Sequence, residues 1–154
     1  MMRILFVCHG NVCRSPMAEF IMKDLAAKEG VADRLYIESA AVSSEEIWNG
    51  RGNPVYGPAR RKLEEHGLDC GGKRARQMTG SDYDRFDLII AMDRRNREGI
   101  RRICGREDKI SLLMDYTAHS RDIPDPWYTD DFDSAWEDIH EGCEALLAHL
   151  LPLL

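Results

Sequence analysis

Residues 3–16, with the sequence RILFVCHGNVCRSP, determine the expected fold of this chain. The first part, residues 3–8, is a nearly continuous apolar run, which is typical of a parallel strand buried on both faces. Gly10 and Asn11 follow, and both tolerate the positive φ angles that a tight loop requires. Pro16 then opens a stretch with helical spacing of its apolar residues. The sequence therefore predicts a strand, a loop and a helix in direct succession.

The same stretch has the features of an anion-binding site. Successive backbone N–H groups of such a loop, together with the helix N-terminus that follows, favour a tetrahedral oxyanion. Ser15 is the predicted helix N-cap, and the planar guanidinium of Arg14 can hold two phosphoryl oxygens. This positive environment also favours the thiolate form of Cys8 at the strand end. A thiolate beneath a bound phosphate can attack the phosphorus in line.

Strand-like and helix-like segments alternate along the rest of the chain. We expect further strands at residues 35–40, 87–92 and 109–114, and helices at residues 55–66, 94–103 and 132–150. This alternation predicts right-handed βαβ units. The expected fold is α/β: a single domain over residues 1–154, with a four-stranded parallel sheet between two layers of helices and the phosphate-binding loop after the first strand.

Composition narrows the function classes. The chain has 154 residues, 44% of them hydrophobic, and a net charge of −6, which argues against a general nucleic-acid binder. It contains no long apolar run, so we expect a cytoplasmic protein with no membrane partner. The five cysteines include no CxxC pair, which predicts neither a disulfide framework nor a zinc site. The sequence leaves the oligomeric state open, with a monomer as the expectation.

A second candidate segment, PDPWY at residues 124–128, can supply the proton that a leaving oxygen needs. The flanking prolines stiffen the loop and present the carboxylate of Asp125. Trp127 and Tyr128 offer flat apolar walls for an aromatic group. Three other acids are close enough in sequence to serve instead: Asp122, Asp130 and Asp131.

With these motifs, the chain resembles the low-molecular-weight protein tyrosine phosphatases. The resemblance lies in Cys8, in the pair Arg14-Ser15 and in the pair Asp125-Pro126, and it extends over nearly the whole chain. It implies that Cys8 is the nucleophile of a phosphocysteine intermediate and that Arg14 clamps the phosphate. It also implies that Asp125 is the general acid and then the general base, and that no metal or cofactor takes part.

The resemblance assigns further roles. Ser15 would donate a hydrogen bond to the Cys8 sulfur, and Ser39 and His66 would support the loop together with Asn11. Cys13 matches a cysteine that can form a protective disulfide with the nucleophile. The residues expected to contact the substrate are His9, Gly10, Asn11, Val12, Cys13, Ser15, Trp48, Trp127 and Tyr128.

Phosphotyrosine is the preferred substrate class. Members of the family that act on phosphoarginine carry a threonine where this chain has Val12, and an apolar branch suits an aryl group better than a hydroxyl does. An arsenate reductase would need a cysteine relay, and Cys70 and Cys104 are isolated in the sequence. The non-enzymatic alternatives are a phosphoprotein-binding module and a redox-sensing thiol protein; a binding module would need neither the thiol nucleophile nor the acid loop.

Overall fold

The predicted parallel sheet is present in the computed structural model, which describes residues 1–154. Its four strands lie in the order β2-β1-β5-β6, all parallel, and a two-stranded antiparallel hairpin is formed by β3 and β4. The strands are β1 (Met2–Cys8), β2 (Leu35–Ala41), β3 (Ile47–Trp48), β4 (Arg51–Gly52), β5 (Leu88–Ala91) and β6 (Ile110–Leu112).

Helices cover both faces of the sheet and give the predicted three layers. Helices α1, α2 and α6 pack together over one face, and α3 and α4 cover the other. The helices are α1 (Arg14–Lys28), α2 (Gly57–Glu65), α3 (Gly80–Arg85), α4 (Arg94–Cys104), α5 (Pro126–Thr129) and α6 (Phe132–Leu150). None of them is long and apolar enough to cross a membrane.

The central strand β1 is buried on both faces, as its apolar run predicts. Ile4 and Phe6 join the larger core beneath α1 and α6, whereas Leu5 and Val7 join the smaller core beneath α3 and α4. All four side chains are completely buried. Each contributes about 1.5–3 kcal/mol of hydrophobic stabilisation, so β1 is a rigid base for the loop that follows it.

The structure corrects two local predictions. Helix α1 begins at Arg14 with Cys13 as its N-cap residue, so Ser15 lies inside the first turn and is not the N-cap. Helix α3 lies in a segment for which no helix was predicted, and it begins with a capping box between Thr79 and Asp82.

The chain runs from β1 outward to β2 on one side and then returns to place β5 on the other side. This reversal makes the carboxyl end of β1 a topological switch point, the usual ligand position in open α/β sheets. Cys8 is the last residue of β1 and therefore opens into this crevice.

The β3–β4 hairpin stands beside the crevice on a fixed base. Asn49 and Gly50 have φ angles of 51° and 74°, as a tight hairpin turn requires. At the base, Ala75 N donates to Asn53 O at 2.9 Å. A Cβ atom on Gly52 would lie 1.8 Å from the carbonyl oxygen of Ala75, so the backbones approach more closely than any side chain allows.

Candidate active site

The loop between β1 and α1 has the geometry of an oxyanion cradle. The carbonyl groups of Cys8, His9 and Val12 accept hydrogen bonds from the backbone of neighbouring segments, at 2.9–3.0 Å. The amide groups of residues 10–15 donate to no acceptor in the protein. Because these amides precede or open a helix, they form the donor-lined concavity that a phosphate group requires.

Asn11 fixes the shape of this loop. It is buried and has a φ angle of 60°, a left-handed conformation that asparagine tolerates. Its Nδ2 donates to Ser15 Oγ at 2.8 Å and to Ser39 Oγ at 3.0 Å, and its Oδ1 accepts from the amide of Arg76 at 3.1 Å. The Arg76 amide can only donate, so Oδ1 must face it, and both Nδ2 hydrogens are then engaged by the two hydroxyl groups.

This arrangement assigns the donor in the contact between Ser15 and Cys8. Ser15 Oγ lies 3.0 Å from Cys8 Sγ, and both atoms are buried. Since Ser15 Oγ already accepts a hydrogen from Asn11, its own hydrogen is available for the sulfur. The site is thus arranged to stabilise a thiolate at Cys8.

Two charged residues that the sequence did not reveal, the buried Glu19 and the part-buried Lys73, support Ser39 in turn. Ser39 Oγ donates to Glu19 Oε1 at 2.6 Å, and Lys73 Nζ donates to Ser39 O at 2.9 Å. Lys73 also lies 3.4 Å from Glu19. Burial lowers the pKa of Lys73, while the Glu19 carboxylate opposes that effect. These residues hold Ser39 in place beneath the loop.

His66, predicted to support the loop, lies elsewhere. Its ring stacks on Trp136 with centroids 3.8 Å apart and planes 7° from parallel. It follows α2 as the C-cap residue and forms no hydrogen bond to Asn11 or Ser39. Lys73 therefore contacts Ser39 in place of His66, and the assignment of His66 is corrected.

Arg14 is buried and held on one side by three oxygens. Its Nη1 donates to Asp93 Oδ2 at 2.7 Å and to the carbonyl of Ile123 at 2.8 Å, and its Nη2 lies 3.4 Å from Asp125 Oδ2. Burial lowers the pKa of Arg14, but the negative charges of Cys8, Asp125 and Asp93 outweigh it and raise the pKa overall. The guanidinium is thus always charged and fixed in orientation. Asp93 had not been singled out as a site residue.

Asp125 stands at the start of α5 and faces the same crevice. Its Oδ1 accepts a hydrogen bond from the Trp127 amide at 3.1 Å, which makes it the N-cap residue of this short helix. Its side chain is part-buried, with 23% exposed. Trp127 packs against Tyr56 with ring centroids 4.7 Å apart. Helix α5 therefore places an acid and an aromatic wall together.

The structure brings most of the predicted residues to one cavity. Three of the residues predicted to contact the substrate do not line the cavity. Asn11 and Ser15 lie beneath the loop, and Trp48 is 70% exposed on the hairpin. Glu45 and Glu46 line it without having been predicted. The lining residues are Cys8, His9, Gly10, Val12, Cys13, Arg14, Glu45, Glu46, Asp125, Trp127 and Tyr128.

Cys13 is a second thiol on the cavity wall. Burial, followed by the negative charge of Cys8, strongly raises its pKa, so it is a neutral thiol. Both cysteines are free in this structure. No group of three or more His, Cys, Asp or Glu side chains is arranged to hold a metal ion.

Comparisons with known proteins agree with this geometry. The family model described as low molecular weight phosphotyrosine protein phosphatase matches residues 3–151. The low molecular weight protein-tyrosine-phosphatase YfkJ of Bacillus subtilis is 42% identical over 97% of this chain and 96% of its own length. The low molecular weight phosphotyrosine protein phosphatase of Gallus gallus is 36% identical over 94% of this chain and 92% of its own.

Solved structures are similar over almost the entire chain. The crystal structure of YfkJ covers 99% of this chain and 96% of its own, with a TM-score of 0.94 and 40% identity. The crystal structure of a Drosophila arginine phosphatase covers 97% of this chain and 98% of its own, with a TM-score of 0.88 and 32% identity.

Proposed function

The chain belongs to the low molecular weight phosphotyrosine protein phosphatase family, and on that basis we propose that it hydrolyses protein phosphotyrosine through a phosphocysteine intermediate. One observation carries the proposal. The buried Cys8 sulfur receives a hydrogen bond from Ser15, and the same cavity contains the fixed guanidinium of Arg14 and the carboxyl group of Asp125. A nucleophile, an anion clamp and a proton donor thus share one cavity.

In the first step, the Cys8 thiolate attacks phosphorus, so an S–P bond forms as the bond between phosphorus and the phenolic oxygen breaks. The loop amides and Arg14 stabilise the charge that develops on the equatorial oxygens. Protonated Asp125 transfers its proton to the phenolic oxygen, and tyrosine leaves.

In the second step, the carboxylate of Asp125 takes a proton from a water molecule as that water attacks phosphorus. The P–S bond breaks, Cys8 departs as a thiolate, and inorganic phosphate is released. Ser15 acts here because its hydroxyl stabilises the sulfur as negative charge returns to it.

The residues that line the cavity favour an aryl phosphate. Val12 lines the cavity without a hydroxyl group, and Trp127 provides an aromatic surface opposite the loop. Phosphoarginine is the second candidate substrate, because a Drosophila arginine phosphatase shares the fold at 32% identity. Hydrolysis of phosphoarginine would use the same nucleophile, with Asp125 protonating a nitrogen instead of an oxygen.

Turnover of para-nitrophenyl phosphate in the presence of a chelator tests the chemistry. We expect activity in the wild type, none in Cys8→Ser, and a kcat lowered by about 10²-fold or more in Asp125→Asn with a phosphotyrosine peptide, because that variant cannot donate the proton. Cys104→Ser, which changes a half-buried thiol outside the cavity, is the matched control. Full activity of Cys8→Ser would refute the mechanism.

The values of kcat/KM for matched phosphotyrosine and phosphoarginine peptides test the substrate class. A higher kcat/KM for phosphotyrosine supports the proposal, and the reverse order would make the chain an arginine phosphatase with the same intermediate. Binding of phosphate without turnover at any pH would instead support a phosphoprotein-binding module.

The partners and the compartment stay predictions. We propose that phosphotyrosine-containing proteins are the partners and that the protein acts in the cytoplasm as a single-domain monomer. The five free cysteines are consistent with a reducing compartment. Cell fractionation and sedimentation of the purified protein would test the compartment and the monomeric state.

A further inference from the structure

Glu46 is a part-buried carboxylate on the cavity wall, and no basic side chain of the chain lies within 4.0 Å of it. Its Oε2 accepts a hydrogen bond from Asn53 Nδ2 at 2.6 Å, and its backbone carbonyl accepts from Asn53 N at 2.8 Å, so the side chain is fixed. The neighbouring Glu45 pairs with His9 at 3.0 Å, whereas no basic side chain pairs with Glu46. Glu46 thus presents a carboxylate that is fixed in position and free of a direct ion pair to any ligand that enters the cavity.

That charge lies close to the loop proposed to bind phosphate. A Cβ atom built on Gly10 would be 3.2 Å from Cγ of Glu46, so the glutamate packs directly against the loop. After burial and the charges of Cys8 and Asp125, the charge of Glu46 also raises the pKa of Cys13. A carboxylate at this place weakens the attraction that Arg14 and the loop amides exert on a dianionic phosphate, and it attracts a positive charge elsewhere on the ligand.

We propose that Glu46 selects phosphotyrosine substrates that carry a lysine or arginine side chain next to the phosphotyrosine. The inference rests on the proposed function and specifies its substrate class. Glu46 is a specificity-determining residue here: the substrate cation pairs with its carboxylate while the phosphate binds the loop. For a separation of roughly 6 Å and an effective dielectric of about 40–80, this attraction corresponds to a preference of about 3- to 10-fold.

Two phosphotyrosine peptides that differ only in flanking lysine or flanking glutamate residues test the proposal. We expect the wild type to have the higher kcat/KM for the lysine peptide, and Glu46→Gln to reduce the ratio between the two peptides by about 3- to 10-fold. Glutamine keeps the shape of the side chain and an acceptor for Asn53, so the hairpin base is preserved. Glu29→Gln, which removes the same charge from an exposed position outside the cavity, is the control and should leave the ratio unchanged.

Two further readouts separate charge from structure. The wild-type ratio should fall when the salt concentration is raised from about 0.05 M to 0.5 M, because salt screens the attraction. Inhibition by inorganic phosphate should become stronger in Glu46→Gln, since the repulsion is removed. A change in packing alone would produce neither effect.

The outcomes distinguish this inference from the proposed function. Equal peptide ratios in the wild type and Glu46→Gln would overturn the inference, and turnover of para-nitrophenyl phosphate would still support the enzyme. A loss in Glu46→Gln confined to a phosphoarginine peptide would also overturn it, because the guanidinium would then be the cation that Glu46 binds. Absence of any wild-type turnover would refute the proposed function instead.

Discussion

Replacing Ser15 with alanine removes the hydroxyl that donates to the Cys8 sulfur at 3.0 Å. The hydrogen bond counts most when the sulfur carries full charge. In the first step the thiolate is the reactant, so losing the donor destabilises the reactant more than the transition state and does not raise the barrier. In the second step the thiolate is the leaving group, so the transition state loses more than the phosphocysteine. The variant should therefore be slowed in dephosphorylation.

The strength of the hydrogen bond between Ser15 and Cys8 sets the expected decrease in rate. A hydrogen bond to a charged group contributes about 1.5–3 kcal/mol, which corresponds to a decrease of about 10- to 150-fold in the rate of the second step. The same change leaves one Nδ2 hydrogen of Asn11 without its acceptor in a buried position. That orphaned donor lowers the free energy of unfolding by about 1–3 kcal/mol.

Stopped-flow turnover of para-nitrophenyl phosphate measures the effect. Ser15→Ala should release one equivalent of nitrophenolate per active site in a burst, followed by a slow steady state, while the phosphoenzyme accumulates and can be trapped by acid quench. Ser81→Ala, on the far side of the sheet in α3, should show wild-type kinetics. A fall in kcat without a burst, or a change in kcat of less than about threefold, would refute the directed hydrogen bond from Ser15.

Three further changes give expected outcomes. Asp93→Asn keeps an oxygen able to cap α4 but removes the charge that holds Arg14 at 2.7 Å, so kcat/KM should fall about 10- to 100-fold and urea unfolding should show a loss of about 1–3 kcal/mol. Gly142→Ala places a Cβ 2.5 Å from Cγ of Leu113 and should cost about 1–3 kcal/mol in urea unfolding; combined with Leu113→Ala, it should cost less than the sum of the two single losses, because the smaller side chain relieves the clash. Burial raises the pKa of Cys143 above its ordinary 9.0, so the unfolded chain loses the thiol proton at a lower pH than the folded chain does. The free energy of unfolding should therefore fall above pH 9 by up to about 1.4 kcal/mol per pH unit. Cys143→Ala should give a shallower pH dependence of urea unfolding.

The features predictable from sequence are those encoded by neighbouring residues. The apolar run of β1 predicted a strand buried on both faces, and the order of Cys8, Gly10 and Arg14 after it predicted the loop. Helix α3 was missed because its six residues are too few to show a helical period, although the capping box at Thr79 was a readable signal. The start of α1 was misplaced because the buried side chain of Ser15 bonds the thiol and not the helix backbone.

The site residues that the sequence did not predict were missed for a different reason. Glu19, Lys73 and Asp93 reach Ser39 or Arg14 only through tertiary packing, and no local sequence pattern marks which charged residues will be wholly or partly buried. His66 had been assigned by resemblance alone, and its stacking on Trp136 depends on how α2 packs against α6. Contacts between distant segments therefore decided these roles.

The β3–β4 hairpin has a base at Gly52 that cannot vary and an exposed end at Trp48 that can. Gly52 cannot be replaced where it meets Ala75, and the φ angle of 74° at Gly50 favours glycine in the turn, whereas Trp48 is largely in solvent. Sequence drift or a designed library confined to the exposed side chains of Trp48 and Arg51 can therefore change the surface of the hairpin while the turn and the catalytic loop keep their geometry. The same catalytic loop could in this way be combined with different hairpin surfaces that contact different substrate proteins.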